Sequence, residues 1–254
     1  MKSFKLAMSP MVSDMNDLDA NAHRISDLAE QAGNCGCRMI CFPEAALCGY
    51  TTSEPKAVKA DDLRIAEIAD MSEDITIVFG FIEKADDGLY VSQAVCKDGD
   101  VAGLYRKTHL GMREVKAFKA GDSLPVFETD EADIGIALCW ESHFPEIAGT
   151  LARKGAELIL MPAASNLDYD RRVASWSTLL STRASDNRTY VAACNCDGRA
   201  TVCASPDGKV MGGMQNDGFT VYDIDPSLYD KYRTGEETMH NIRYQSHRRP
   251  ELYQ

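Results

Sequence analysis

A thiol, a carboxylate and an amine each follow an apolar segment of the sequence, where a predicted strand ends. Cys139 follows the apolar residues 134–138, Glu44 follows the run 39–42 and a proline, and Lys107 stands in the segment 104–110. Open α/β folds place functional groups where strands end and loops begin, so we expect these side chains to be functional. A cysteine can attack a carbonyl carbon, a glutamate can move the proton, and a lysine can stabilise the resulting oxyanion.

Cys139 stands out among the nine cysteines because it ends a strand shortly before a helix predicted to begin at Pro145. The positive potential of a helix N-terminus lowers the pKa of a nearby thiol, so we expect Cys139 to form a thiolate readily. The other eight are interpreted as small buried hydrophobic residues in a reducing compartment. Their spacing completes no four-ligand zinc set, so we predict no metal site.

Lys107 is adjacent to Arg106, and on an extended chain the two side chains point in opposite directions. If the lysine is the one that faces inward, it needs carboxylate partners. Glu44 and Glu114 are the candidates.

The two halves of the sequence repeat one pattern, in which a helix, a glycine, an apolar strand and a proline follow one another. This order occurs at residues 22–43 and again at residues 145–162. We therefore predict two similar α/β halves around one core. Residues 1–225 are assigned to this domain. Residues 226–254 are polar and are predicted to be irregular, packing on the body or on a partner subunit.

The charge balance excludes several kinds of partner. With 39 acidic and 27 basic residues, the formal net charge is −12, which argues against nucleic acid and against anionic membrane surfaces. No stretch approaches the roughly 20 apolar residues of a membrane span. The start of the chain lacks the apolar run of a secretory signal, so a cytoplasmic location is expected.

Taken together, three separated segments resemble the nitrilase superfamily of carbon–nitrogen hydrolases. They are Phe42-Pro43-Glu44, Tyr105-Arg106-Lys107-Thr108-His109-Leu110 and Cys139-Trp140-Glu141-Ser142-His143-Phe144-Pro145-Glu146. The resemblance covers nearly the whole chain in the same order. It implies a four-layer α-β-β-α sandwich that assembles as a homodimer or a larger homo-oligomer.

The resemblance also implies roles for single residues. Cys139 matches the nucleophile, Glu44 the general base and acid, and Lys107 the cationic stabiliser. Glu114 matches a second glutamate that holds the lysine or the attacking water. The residues expected to line the substrate pocket are Tyr50, Trp140, His143 and Ala163. The chemistry requires no metal and no organic cofactor.

The predicted reaction is hydrolysis of a small carboxamide through a thioester, which releases ammonia and a carboxylic acid. Cys-Trp-Glu is similar to nitrile-cleaving members, whereas Phe144-Pro145-Glu146 is similar to amidases and N-carbamoyl-amine hydrolases. Hydrolysis of a carbamoyl amine, which would release ammonia and carbon dioxide, is therefore the first alternative, and nitrile cleavage is the second. Arg171 or Arg172 is a further candidate for binding a substrate carboxylate.

Two other hypotheses remain open at this point. One is papain-like chemistry from a Cys139–His143 pair, which would leave Glu44 and Lys107 without roles. The other is an inactive scaffold protein that kept the fold but lost catalysis. The presence of all three residues favours an enzyme.

Overall fold

The described part of the chain folds into two β-sheets with helices on their outer faces, as seen in a computed structural model. The structure describes residues 1–233, 235–239, 241–242 and 244–252. Within these residues the first sheet contains seven strands and the second contains five.

The bounds of the strands are as follows. The first sheet contains β1 (Phe4–Met8), β2 (Cys37–Cys41), β3 (Thr76–Ala85), β4 (Gly88–Lys97), β5 (Asp100–Arg106), β11 (Met214–Asn216) and β12 (Phe219–Ile224). The second contains β6 (Val126–Phe127), β7 (Ile134–Ile136), β8 (Leu158–Leu160), β9 (Tyr190–Cys194) and β10 (Thr201–Ala204). The α-helices are α1 (Leu18–Asn34), α2 (Leu63–Asp70), α3 (Pro145–Arg153), α4 (Tyr169–Asn187) and α5 (Pro226–Arg233).

Each sheet has a parallel centre of three strands. The strand order is β11-β12-β1-β2-β3-β4-β5 in the first sheet and β10-β9-β8-β7-β6 in the second. In the first sheet β2 pairs in parallel with β1 and with β3. In the second sheet β8 pairs in parallel with β7 and with β9. Parallel strands need crossover connections, and helices α1 to α4 supply them. The two similar halves predicted from the sequence are therefore confirmed.

The alternation of side chains along β8 shows the four layers. Leu158 and Leu160 belong to the core between the two sheets. Ile159 and Met161 belong to a second core together with residues of α3 and α4, such as Leu151. Successive residues of a strand point to opposite faces, so the second sheet has one face on the first sheet and the other on helices. The predicted α-β-β-α sandwich is confirmed.

Side-chain caps explain where three of the helices begin. The carboxylates of Asp17, Asp62 and Asp168 accept backbone N–H groups at the starts of α1, α2 and α4. Such caps satisfy N–H groups that have no partner inside the helix. Helix α3 begins instead with Pro145, which suits a first helical turn.

The prediction that the chain becomes irregular after Pro226 is wrong for its first part. Residues Pro226–Arg233 form α5, in which Tyr229 and Tyr232 are buried. Proline stops a helix in its interior but suits its first position, which is where it stands here. Further along, the amide of Gln245 and the guanidinium of Arg248 both donate to Asn187 Oδ1 at 3.0 Å.

Candidate active site

Two glutamates and a lysine form a buried cluster at the ends of β2 and β5. The ammonium of Lys107 lies 2.7 Å from Glu44 Oε1 and 2.7 Å from Glu114 Oε1. Lys107 is 1% exposed, as is Glu44, and Glu114 is 4% exposed. Neighbouring Arg106 points away and pairs with Glu83. In the structure Lys107 therefore faces inward and has two carboxylate partners.

The turn that carries Glu44 lies tightly against the neighbouring strand β3. A side chain at Gly80 of that strand would approach the backbone nitrogen of Ala45 to 2.3 Å, so only glycine fits there. Glu44 Oε2 accepts the backbone N–H of Ala164 at 3.1 Å, across the interface from the other sheet. Both oxygens of Glu44 are thus held in place.

Cys139 comes from the second sheet and has an uncommon backbone conformation. Its φ is 44°, in a region that residues other than glycine rarely adopt. Its N–H donates to the carbonyl of Pro162 at 2.9 Å, and its carbonyl accepts the hydroxyl of Ser142 at 2.7 Å. These bonds hold the turn in a conformation that stores strain, a feature that clusters at functional sites. As a residue Cys139 is partly exposed, whereas most of the other cysteines are buried, but its thiol lies in the interior near the charges of Glu44 and Lys107.

The predicted lowering of the Cys139 pKa is wrong. Burial of the thiol, together with the charge of Glu44, raises its pKa to about 12, although Lys107 and the N–H of Ala164 act in the opposite direction. Residues Cys139–His143 form a 3-10 turn, and α3 begins only at Pro145. The helix field falls off within the first turn and does not outweigh burial. The resting thiol is neutral and needs a base.

Glu44 has the properties of such a base. Burial raises its pKa above the ordinary value of 4.5, and the charge of Glu114 adds to the rise, while Lys107 lowers it. For Lys107, burial favours the neutral amine, but the charges of Glu44, Cys139 and Glu114 prevail and raise its pKa. One ammonium is shared by two carboxylates, so the carboxylate of Glu44 retains affinity for a proton.

A cavity of about 140 Å³ opens beside Glu44. It is bordered by Tyr50, Ala164, Asn166 and Cys196. The hydroxyl of Tyr50 also donates to Glu114 at 2.8 Å. The cavity thus adjoins the buried cluster, as a substrate pocket would.

Of the four residues predicted to line the pocket, Tyr50 borders the cavity, whereas Trp140, His143 and Ala163 do not. Ala163 is 1% exposed and packs in the core beneath α3 and α4. Its neighbour Ala164 borders the cavity instead, because successive residues point to opposite sides. Trp140 is 44% exposed, and its ring packs on that of His143 with centroids 5.2 Å apart.

The two arginines after β8 differ in their surroundings. Arg171 has a side chain that is 79% exposed and pairs with Asp168. Arg172 donates to Ser165 and lies over the ring of Trp176, with its guanidinium carbon 5.0 Å from the ring centroid. The charge of Arg172 also lowers the pKa of Cys139, against the larger effect of burial.

Sequence reasoning missed two contributors to the site. Glu141 is fully buried, and Cys196 borders the cavity. In the sequence Glu141 is recognisable only as part of the Cys-Trp-Glu motif, and Cys196 only as the second residue of a Cys-x-Cys pair. Within residues 1–233 and the described parts of the tail, no group of His, Cys, Asp and Glu side chains is arranged to hold a metal ion. In the same residues no helix is long and apolar enough to cross a membrane.

Comparison with known proteins agrees with this fold. The family model described as carbon-nitrogen hydrolase matches residues 5–234. A protein of Pseudomonas protegens, named hydrolase in pqqF 5'region, is 32% identical over an alignment of 273 positions that covers 99% of this chain and 91% of that protein. Human omega-amidase NIT2 is 29% identical over an alignment of 251 positions that covers 89% of this chain and 90% of that protein.

Solved structures show the same architecture. An amidase of the nitrilase superfamily from Nesterenkonia AN1 superimposes with a TM-score of 0.80 at 22% identity, over 98% of this chain and 95% of that one. The fold and the match to the family model define a hydrolase of carbon–nitrogen bonds. The chain belongs to the carbon–nitrogen hydrolase family.

Proposed function

We propose that the protein hydrolyses a small carboxamide to a carboxylic acid and ammonia through a thioester on Cys139. The observation that carries the proposal is the buried Glu44–Lys107–Glu114 cluster. The charges of Glu44 and Lys107 act on the pKa of Cys139, and Glu44 borders a cavity. A carboxamide is a poor electrophile with a poor leaving group. Dividing its hydrolysis into two steps through a covalent intermediate lowers each barrier.

In the first step Glu44 takes the proton of the Cys139 thiol as the sulfur attacks the carbonyl carbon. The raised pKa of Glu44 suits proton transfer near neutral pH, and the high pKa of the thiol explains why a base is needed. Negative charge develops on the carbonyl oxygen. The ammonium of Lys107 and the backbone N–H of Trp140 stabilise this oxyanion.

Collapse of the intermediate breaks the carbon–nitrogen bond. Protonated Glu44 gives its proton to the departing nitrogen, so ammonia leaves and the thioester remains. A water molecule then attacks the thioester carbon and gives a proton to Glu44. The sulfur leaves, takes this proton back, and the carboxylic acid is released.

Glu114 holds the lysine in this scheme. Its Oε1 accepts from Lys107 and its Oε2 accepts the backbone N–H of Gly111 at 2.6 Å. The second carboxylate keeps the ammonium charged in a buried place, which a single partner would do less well.

The size of the cavity favours a short substrate. Its volume of about 140 Å³ is below the roughly 300–1,000 Å³ of pockets that hold drug-sized ligands. The names of the relatives support an amide, since they include omega-amidases of human and Arabidopsis thaliana origin, although one from Pyrococcus abyssi is named nitrilase. N-carbamoyl amines and then nitriles remain the second and third candidates.

The remaining proposals concern assembly and place. We propose that residues 1–225 form the catalytic domain, with residues 226–254 as an extension that packs on it, as the contacts of Gln245 and Arg248 with Asn187 support. A homodimer or larger homo-oligomer and a cytoplasmic location complete the proposal. Gel filtration with light scattering tests the assembly, and fractionation of the source cells tests the location.

An ammonia-release screen tests the proposed reaction. Butyramide, an N-carbamoyl amine and butyronitrile are compared, with C139A and C35A as paired variants, because Cys35 is exposed and precedes β2, whereas Glu44 follows the other end of that strand. We expect release from the amide by the wild type and by C35A, and none by C139A. Absence of release from every amide, or equal release by C139A, would refute the proposal.

A further inference from the structure

One buried carboxylate beside the cluster has no part in the proposed proton transfers. Glu141 is 0% exposed. Its Oε1 accepts the N–H and the hydroxyl of Thr108, at 2.8 and 2.6 Å, and the N–H of His109 at 3.0 Å. Its Oε2 accepts the N–H of Leu138 at 2.7 Å, and the hydroxyl of Tyr105 lies 2.7 Å from both oxygens.

These donors belong to the two segments that bring the reacting groups together. Thr108 and His109 directly follow Lys107, whereas Leu138 directly precedes Cys139. We infer that Glu141 is a positioning residue, which fixes the segment of the lysine to the turn of the cysteine. This inference rests on the proposed roles of Lys107 and Cys139.

The donor set requires a carboxylate. Both oxygens of Glu141 face backbone N–H groups, so neither site can take the NH₂ group of a glutamine without setting two donors against each other. An aspartate keeps the charge but is shorter by one methylene group and cannot reach both segments equally well. A buried N–H without an acceptor costs free energy, so the two segments would separate.

The consequence for catalysis differs from a simple loss of stability. None of the residues that donate to Glu141 borders the cavity, so substrate binding should change little. The distance between the ammonium and the developing oxyanion would change, and displacements of about 1 Å can cost about 100-fold in rate. The charge of Lys107 lowers the pKa of Glu44 in the wild type. If Lys107 becomes more mobile, this effect weakens.

The acid limb of kcat/KM reports the pKa of Glu44, which depends on burial and on the groups around this residue. They are Lys107, Glu114 and the N–H of Ala164, and Glu44 in turn raises the pKa of Cys139, Tyr50 and Cys196. Weaker contact with Lys107 raises the pKa of Glu44. The acid limb of kcat/KM then moves to higher pH.

Glu83 offers a matched control. It is a buried carboxylate on β3 that accepts from Ser92 at 2.7 Å and from Arg106, the residue next to Lys107. Replacing it by glutamine removes comparable buried hydrogen bonds without touching the cysteine turn. A purely structural role for Glu141 would make the two substitutions behave alike.

The experiment measures kcat, KM, the pH profile and the Tm of E141Q, E141D and E83Q with butyramide. We expect E141Q to lose about 100-fold in kcat with KM within about threefold, to move the acid limb upward by about half a pH unit, and to be partly rescued in E141D. E83Q should lower the Tm but keep the acid limb and most of kcat.

A milder variant keeps the test decisive if E141Q does not fold. T108V removes only the hydroxyl that donates to Glu141 and should lower kcat several-fold, with an acid limb shifted in the same direction. Unchanged kcat and acid limb in E141Q or in T108V would overturn the inference while wild-type hydrolysis stands. Failure of the proposed function would appear separately, as absence of hydrolysis by the wild type or as full activity of C139A.

Discussion

The ammonium of Lys107 lies 2.7 Å from a carboxylate oxygen of Glu44, although 63 positions separate the two residues in the sequence. Glu44 follows β2 and Lys107 follows β5 of the same sheet, whereas Cys139 follows β7 of the other sheet. The candidate site therefore lies between the two sheets of the sandwich. Its formation depends on how the sheets stack, which no single motif specifies.

Removing the proposed base should abolish turnover without unfolding the protein. In E44Q the side chain keeps its shape but cannot accept the proton of the thiol, so we expect kcat to fall by about 10²–10⁴-fold. In the wild type, kcat/KM should rise with pH as Glu44 loses its proton, with a midpoint above 4.5 because burial raises the pKa. Ammonia release and circular dichroism check both points. Substantial activity in E44Q would exclude Glu44 as the base.

Removing the lysine should cost stability as well as activity. In K107A the buried carboxylates of Glu44 and Glu114 lose their partner, and breaking a buried ion pair typically costs about 3–5 kcal/mol. Denaturant unfolding measures the loss. K119A is the control, since Lys119 pairs with Asp87 on the surface and its removal should leave the midpoint nearly unchanged. Equal effects of the two substitutions would contradict the buried cluster.

Replacing Glu114 should shift the pH profile in a defined direction. Its charge raises the pKa of Glu44, so in E114Q the acid limb of kcat/KM should move to lower pH, opposite to the shift expected for E141Q. We also expect kcat to fall, because Lys107 loses one of its two carboxylates. Y50F removes only the hydroxyl that donates to Glu114 and should cost up to about tenfold in kcat. An acid limb that stays in place in E114Q would show that Glu114 does not act on Glu44.

Replacing His143 distinguishes the papain-like alternative. Its ring packs on Trp140, and His143 is not among the groups that shift the pKa of Cys139. We therefore expect H143Q to keep kcat within about fivefold of the wild type, since a catalytic histidine would contribute about 10²–10⁴-fold. Loss of activity on that scale, with an unchanged fold, would restore the Cys139–His143 pair as the catalytic unit.

Local patterns were sufficient to predict two similar α/β halves and to place the three proposed catalytic residues at strand ends, whereas the four-layer sandwich was predicted from the resemblance to the nitrilase superfamily. Apolar runs that end at proline or at a polar residue placed Glu44 and Cys139 at strand ends, and the adjacent basic pair indicated that Lys107 could face inward. The first strand, Phe4–Met8, was not predicted, although it lies at the centre of the larger sheet. Its sequence Phe-Lys-Leu-Ala-Met includes a lysine and no β-branched residue, so it does not show the continuous apolar, β-branched run that marked other strands.

Properties that depend on distant contacts could not be read from the sequence. The donors that surround Glu141 are up to 36 positions away, so its motif alone did not reveal its contacts. The direction of the Cys139 pKa shift was wrong for a related reason. A nearby helix start was visible in the sequence, whereas the burial that outweighs it depends on the stacking of the two sheets.

The most direct test of the mechanism is detection of the thioester itself. Wild-type protein is mixed with excess butyramide, quenched in acid during turnover, and analysed intact and after digestion by mass spectrometry. We predict a mass increase equal to one butyryl group, located on the peptide that contains Cys139 and absent in C139A. An acyl group on another residue, or turnover by C139A, would contradict the proposed mechanism.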